Sequence, residues 1–353
     1  MEKKKKKPRH LFSIIYMAVT IVAIILIALF AADLDAIGDA LKDFNIWWLV
    51  ACIGALLLYW LMDGLLLHDI TQYMYKAQPL SQSIKIGLIG LYYCALTPSS
   101  TGGQPMQVLY MKRSNIPVGT ATCIVCIKFV VYELSLCALY IAGMVARGGY
   151  YYVHNNDAFW LAILGFVINL VAVFCIILTI VNKKLVLNIG RWILKLLAKL
   201  KIIKNVEAKL EGFHNTIEEY HTAASYISKY KLRALGSFFI SVINLAFLFV
   251  IPYLIYLSFG YTQYNIFDIF VMESFLFLAV SFFPLPGAAG ASEGGFMLFF
   301  GSFFGAATAV AMLIWRFLTY YSILIVGSLL VVFDEVFSMR RRRKNAKAET
   351  GEL

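Results

Sequence analysis

PLPGAAGASEGG, residues 284–295, lies between Phe283 and Phe296 inside a long apolar run. Apart from Leu285 and Glu293 it consists of Pro, Gly, Ala and Ser. In hydrocarbon such a break leaves backbone N–H and C=O groups without helical partners, which is tolerated only where protein buries them or water reaches them. The stretch is therefore expected to be a re-entrant turn lining a cavity. A second break, TPSSTGGQP over Thr97–Pro105, also falls between apolar segments. Two interrupted hydrophobic segments in matching places of two half-chains point to a transporter-type site near the bilayer midplane.

Composition fixes the solvent. With 61% hydrophobic residues, a mean hydropathy of +0.77 and only 14% charged residues, the chain lacks the polar surface of a soluble globule. Leu11–Ala31, Ile46–Leu67, Val118–Val145, Phe159–Val181, Leu232–Phe259 and Ala307–Phe333 each approach or exceed the roughly 20 residues that a helical crossing needs. A barrel would show shorter, alternating segments. The first apolar stretch is longer than a signal-peptide core and lacks a small-residue cleavage site, so it is expected to remain as an anchor. The net charge of +11 comes from clusters at Lys3–Arg9, Lys183–Lys204 and Arg340–Lys347. These juxtamembrane clusters orient the chain with those ends cytoplasmic, and each Lys or Arg near the surface gains about 1 kcal/mol from anionic lipid. No folded soluble domain is available to read nucleic acid. All six cysteines, Cys52, Cys94, Cys123, Cys126, Cys137 and Cys175, fall in apolar segments and read as packing residues. Neither metal spacing nor a cofactor motif is present.

The charge rule sets the topology. From a cytoplasmic N-terminus the first span leads to an acidic outer linker, Asp33–Asn45, whose Leu34, Ile37, Leu41 and Phe44 recur at helical spacing. Ile84–Leu96 is too short to cross, because thirteen residues of helix reach about 20 Å against a core of roughly 30 Å. With basic residues on both flanks, this segment is expected to turn at Thr97–Pro105 and return to the cytoplasmic side. By the same logic the Pro284–Gly295 hairpin enters from outside, and Pro252 kinks the span before it. The expected architecture is an all-α polytopic membrane protein with six crossing helices and two opposed re-entrant hairpins, arranged as an inverted repeat. Residues 1–338 form the membrane domain, with halves 46–145 and 232–333, a cytoplasmic amphipathic insert over 182–231 and a basic cytoplasmic tail over 339–353. Within the insert, Ile189, Trp192, Ile193, Leu196, Leu197 and Leu200 make one apolar stripe, and Val206 to Ile227 predicts a second helix packed on it.

The paired breaks and the pattern Pro284, Pro286, Gly287, Gly290, Glu293, with the looser Pro98, Gly102, Gly103 and Gln104, resemble the integral-membrane domain of lysylphosphatidylglycerol synthases, the multiple peptide resistance factor family. The resemblance covers most of Ile46–Phe333 and is similar to the stand-alone form without a cytosolic synthase domain. It implies a flippase-like lipid translocase of the cell membrane whose partners are anionic or aminoacylated phospholipids, a separately encoded lipid synthase and further copies of the chain. Gln104 stands where the family pattern is expected to carry an acid.

Ionisable groups inside a membrane cost several kcal/mol unless paired or wet, so each is a candidate for function. Glu293 and Arg316 are read as a carboxylate and a cation facing one cavity, able to meet the amine and the phosphate of a headgroup; a salt bridge tying hairpin to span is the competing role. Glu133 is the candidate of the first half. Lys128 and Arg113 are further candidates; Lys128 stands five residues from Glu133 and so off its helical face, with snorkelling as its alternative. Glu273 is a cavity carboxylate or a partner for Arg316, Asp63 is expected in interfacial water, and Gly301 with Gly305 reads as a helix-packing face. Two other functions stay open. One is a phosphatidylglycerol lysyltransferase serving cationic-peptide resistance, disfavoured because the largest polar segment is only about fifty residues, too small for an acyltransferase core. The other is a small-solute secondary transporter.

Overall fold

The computed structural model describes residues 44–75, 78–199, 212, 215–222, 224, 230–281 and 283–350. The expected first span, Leu11–Ala31, the acidic linker before Phe44 and most of the second insert helix lie outside the described residues. Among the described residues every regular element is helical. In chain order they are α1 (Ile46–Met74), α2 (Leu80–Leu96), α3 (Gly103–Arg113), α4 (Val118–His154), α5 (Asn156–Val181), α6 (Lys183–Lys199), α7 (Lys231–Phe249), α8 (Ile251–Ser258), α9 (Ile266–Val280), α10 (Ala291–Phe304), α11 (Thr308–Arg316) and α12 (Ser322–Thr350).

Both sequence breaks are loops between paired helices, and both are shorter than expected. The first runs from Thr97 to Gly102, because Pro105 falls in the opening turn of α3, where a missing N–H leaves no bond unmade. The second spans 281–290, and Ala291 to Gly295 already belong to α10. The arm of the first hairpin begins at Leu80 rather than Ile84. Pro252 sits at the start of α8, and the helix is interrupted at Val250, as a proline in a span requires.

Among the described residues, five stretches are apolar and long enough to cross a membrane: Ile46–Met74, Val118–His154, Asn156–Thr179, Lys231–Ser258 and Ala291–Val336. The last is not one rod. Glu293 and Arg316 are 23 positions apart, which a straight helix would spread over about 35 Å, yet Arg316 Nε donates to Glu293 Oε1 at 2.7 Å. The chain therefore folds back between α10 and α11, at Gly305, whose φ of +53° favours glycine. Gly305 is a corner, not the packing face its spacing from Gly301 suggested.

Packing interleaves the two halves. The first hairpin, α2 and α3, lies against α1 and α4 of its own half and against α12 of the other. The second, α9 and α10, lies against α11 of its own half and against α4 and α5. Where the hairpin loops meet, Pro98 and Pro286 form an isolated antiparallel bridge. Ion pairs tie the opposite end of each hairpin: Asp334 of α12 takes Lys85 of α2 and Arg113 of α3, the latter at 3.5 Å, while Arg147 of α4 holds Asp268 of α9 at 2.8 Å. The outer surface suits lipid, since α5 exposes Trp160, Leu164, Val171 and Phe174 along its length.

Candidate functional site

The first hairpin encloses a cavity of about 570 Å³. Its wall is built by α1 (Tyr59, Asp63), α2 (Gly90, Cys94), the loop (Ser99, Ser100, Thr101), α3 (Gln104, Gln107) and α4 (Cys126, Lys128, Tyr132, Glu133), and Ile176, Phe277 and Ser281 close it from α5 and the second hairpin. Small residues make the room. A Cβ on Gly87 would stand 2.7 Å from Asp63 Oδ2, and one on Gly90 would collide with the Gln107 amide. The same absence of side chains brings the opening turn of α3, Gly103 and Gln104, to the cavity wall. Thr97 Oγ1 accepts from Gly102 N at 2.7 Å and holds that turn.

Two charged groups in the wall neutralise each other. Lys128 Nζ lies 2.7 Å from Asp63 Oδ1 and 2.8 Å from Oδ2, with both residues buried. Asp63 is thus not in interfacial water, and Lys128 does not snorkel; each answers the other's charge, as burial in apolar surroundings demands. Glu133 has a different neighbour. Asn169 of α5 donates its side-chain amide to Glu133 Oε2 and accepts from Cys137 Sγ at 3.2 Å. Among the described residues no Lys or Arg pairs with Glu133. Both Lys128 and Glu133 line the cavity despite their offset of five positions, because the cavity is deep enough to meet α4 over more than one turn.

The second hairpin is closed. Arg316 is 4% exposed and Glu293 is 4% exposed. Arg316 donates from its second terminal nitrogen to Gly287 O at 2.6 Å, and Glu293 Oε2 accepts from Gly290 N at 2.6 Å, capping α10. A π-helical turn, Phe317–Tyr321, follows Arg316. It sets the Tyr320 ring 4.2 Å beneath the guanidinium, and Gly287, at φ +59°, leaves space for that ring. Phenyl groups fill what remains, with Phe296 stacked on Phe300 at 4.6 Å and against Trp315 at 5.1 Å.

The sequence candidates therefore separate. Gln104, Lys128 and Glu133 line the cavity together with Gly103. Glu293 and Arg316 form a buried clamp away from it, made with Gly287 and Gly290. Glu273 accepts from Trp315 Nε1 at 3.1 Å inside the core and does not pair with Arg316. Arg113 reaches Asp334 near the surface. Pro98 and Pro286 are the touching points of the loops, and Pro284 and Gly102 lie in them. Among the lining or supporting groups that were missed are Asp63 as a partner, Tyr59, Gln107, Tyr132 and Asn169. Asn169 did leave a signal, a lone amide in the otherwise apolar stretch Phe166–Phe174. Cys94 and Cys126, read as packing residues, face the cavity. A second cavity of about 840 Å³ lies at the ends of α1 and α4; there Glu219 caps α4 by accepting from Gly119 N at 3.0 Å and Glu218 pairs with Lys183.

Residues 15–327 match the family model of the lysylphosphatidylglycerol synthase TM region. The chain is also similar to a UPF0104 membrane protein of Archaeoglobus fulgidus, with 21% identity over 296 residues, 82% of this chain and 88% of that protein.

Proposed function

The chain belongs to the lysylphosphatidylglycerol synthase TM region family, and from that premise we propose that it is a flippase-like translocase moving an anionic or aminoacylated phospholipid between leaflets. In this reading the hairpins enter the bilayer from opposite sides and meet at Pro98 and Pro286. The chain makes six crossings, the halves form an inverted repeat, and both termini lie in the cytoplasm of a cell whose plasma membrane holds the protein. The observation that supports it best is the cavity of about 570 Å³ beside the loop junction, lined by hydroxyls, amides, a neutralised ion pair and Glu133. That volume suits a headgroup, whereas acyl chains are better left in lipid. A separately encoded synthase would supply an aminoacylated substrate, and self-association is compatible with the lipid-facing surfaces.

The test uses purified full-length protein in liposomes carrying fluorescent phosphatidylglycerol, phosphatidylethanolamine or lysyl-phosphatidylglycerol, with a quencher added outside. Transbilayer movement above that of empty liposomes is expected for at least one lipid. Lysyl transfer from charged tRNA without lipid movement would favour the enzyme reading instead, and ion-coupled uptake of a soluble solute would favour the secondary transporter.

A further inference from the structure

Four carboxylates are buried among the described residues: Asp63, Glu133, Glu273 and Glu293. Asp63 is answered by Lys128 and Glu293 by Arg316. Glu273 is walled into the core, away from the cavity. Glu133 alone among these four lines the cavity without a cation beside it. An acid placed this way in an apolar span is costly unless something completes it.

The groups around it define its chemistry. On α4 the nearest titratable neighbours are Tyr132 and Cys137; α1 contributes Tyr59 and Asp63, the latter taken by Lys128. From α5 comes Asn169, fully buried on a helix that exposes Trp160, Leu164, Val171 and Phe174 on its other face. Cys137 fixes the amide through its oxygen, so the N–H points at Glu133. The opposite wall of the cavity carries hydrogen-bond donors. Ser99, Ser100 and Gln104 stand there, with Gln107, which is 6% exposed and whose side chain makes no hydrogen bond among the described residues. Donors of that kind suit a phosphate oxygen, and an uncompensated carboxylate suits a cation. An inorganic cation would want several oxygen ligands, whereas an ammonium with an apolar stem needs one strong acceptor.

We infer that Glu133, held by Asn169, binds the ammonium of an amine-bearing phospholipid headgroup and so selects such lipids over amine-free ones. The lipid nature of the ligand rests on the translocase reading. The site itself is open to a separate measurement.

Purified protein in detergent is titrated with short-chain dihexanoyl-phosphatidylethanolamine and dihexanoyl-phosphatidylglycerol. Wild type is expected to bind the amine lipid about tenfold more tightly, the scale of one charge-assisted contact. Glu133→Gln should bring that ratio near one, chiefly by weakening phosphatidylethanolamine binding, and Glu133→Asp should keep part of it. Asn169→Leu should lower the ratio with the carboxylate still present. Thermal unfolding of each variant confirms that it is folded. Equal binding of both lipids by wild type, an unchanged ratio in Glu133→Gln, or dependence on Na⁺ without headgroup preference would each overturn the assignment. Selective binding with no transbilayer movement would leave the Glu133 site standing and remove the translocase reading.

Discussion

The two hairpins begin from the same sequence device, a Pro/Gly loop between apolar helices, and end as different objects. In the first, glycines at 87 and 90 leave space that Asp63 and Gln107 occupy, and a cavity survives beside them. In the second, phenyl rings and the Tyr320 ring occupy the space, and the buried Glu293–Arg316 pair is consumed in bonding loop to helix. A charged pair within a membrane segment thus carries no information about solvent access until its bonds are counted. Arg316 and Glu293 use their hydrogen-bonding capacity on each other and on the backbone of the loop, whereas Glu133 does not.

The contrast can be broken most severely at the clamp. Arg316→Ala leaves Glu293 buried without a counter-charge, and loss of one partner of such a pair costs about 3–5 kcal/mol. Unfolding of the purified protein should shift by that amount, and the double change Arg316→Met with Glu293→Leu should recover much of it, because an apolar pair of similar volume removes the stranded charge. If the single variant unfolds like wild type and loses only lipid movement, the second hairpin is a ligand site after all. A smaller effect is expected on filling the first hairpin. Gly90→Ala sets a methyl against the Gln107 amide and should cost about 1–3 kcal/mol as overpacking, with lipid movement lost; Gly90→Ala combined with Gln107→Ala should restore stability. The smallest effect belongs to the surface ties. Asp334→Asn removes the pairs with Lys85 and Arg113 and Asp268→Asn the pair with Arg147, all partly exposed bases, so stability should change by less than about 1 kcal/mol per pair. Their use as a probe lies elsewhere: if the hairpins move during transport, the two variants should alter its rate.

The loops were legible from the sequence because a cluster of Pro and Gly inside an apolar run interrupts the helical hydrogen bonding that lipid demands, so the chain must turn where protein or water can meet the freed groups. Their edges were less so, since Gly103 and Ala291–Gly295 are compatible with either loop or helix, and tertiary packing decided for helix. The charged residues were legible as candidates but not as pairs. Asp63 and Lys128 are 65 positions apart, and Glu293 meets Arg316 only because Gly305 turns the chain. Helical spacing on α4 correctly separates Lys128 from Glu133 in angle, but it says nothing about the depth of a cavity that reaches both. Asn169 was overlooked because it is uncharged. Inside an apolar span an amide also needs a partner, and that need pointed to Glu133.

Each hairpin is finished by the other half. Tyr320 donates to Ala95 O at 3.2 Å, Asp334 serves Lys85 and Arg113, and Asp268 serves Arg147. A gene severed between the halves would yield two fragments, each with stranded charges and an unsupported loop, that regain order only by meeting.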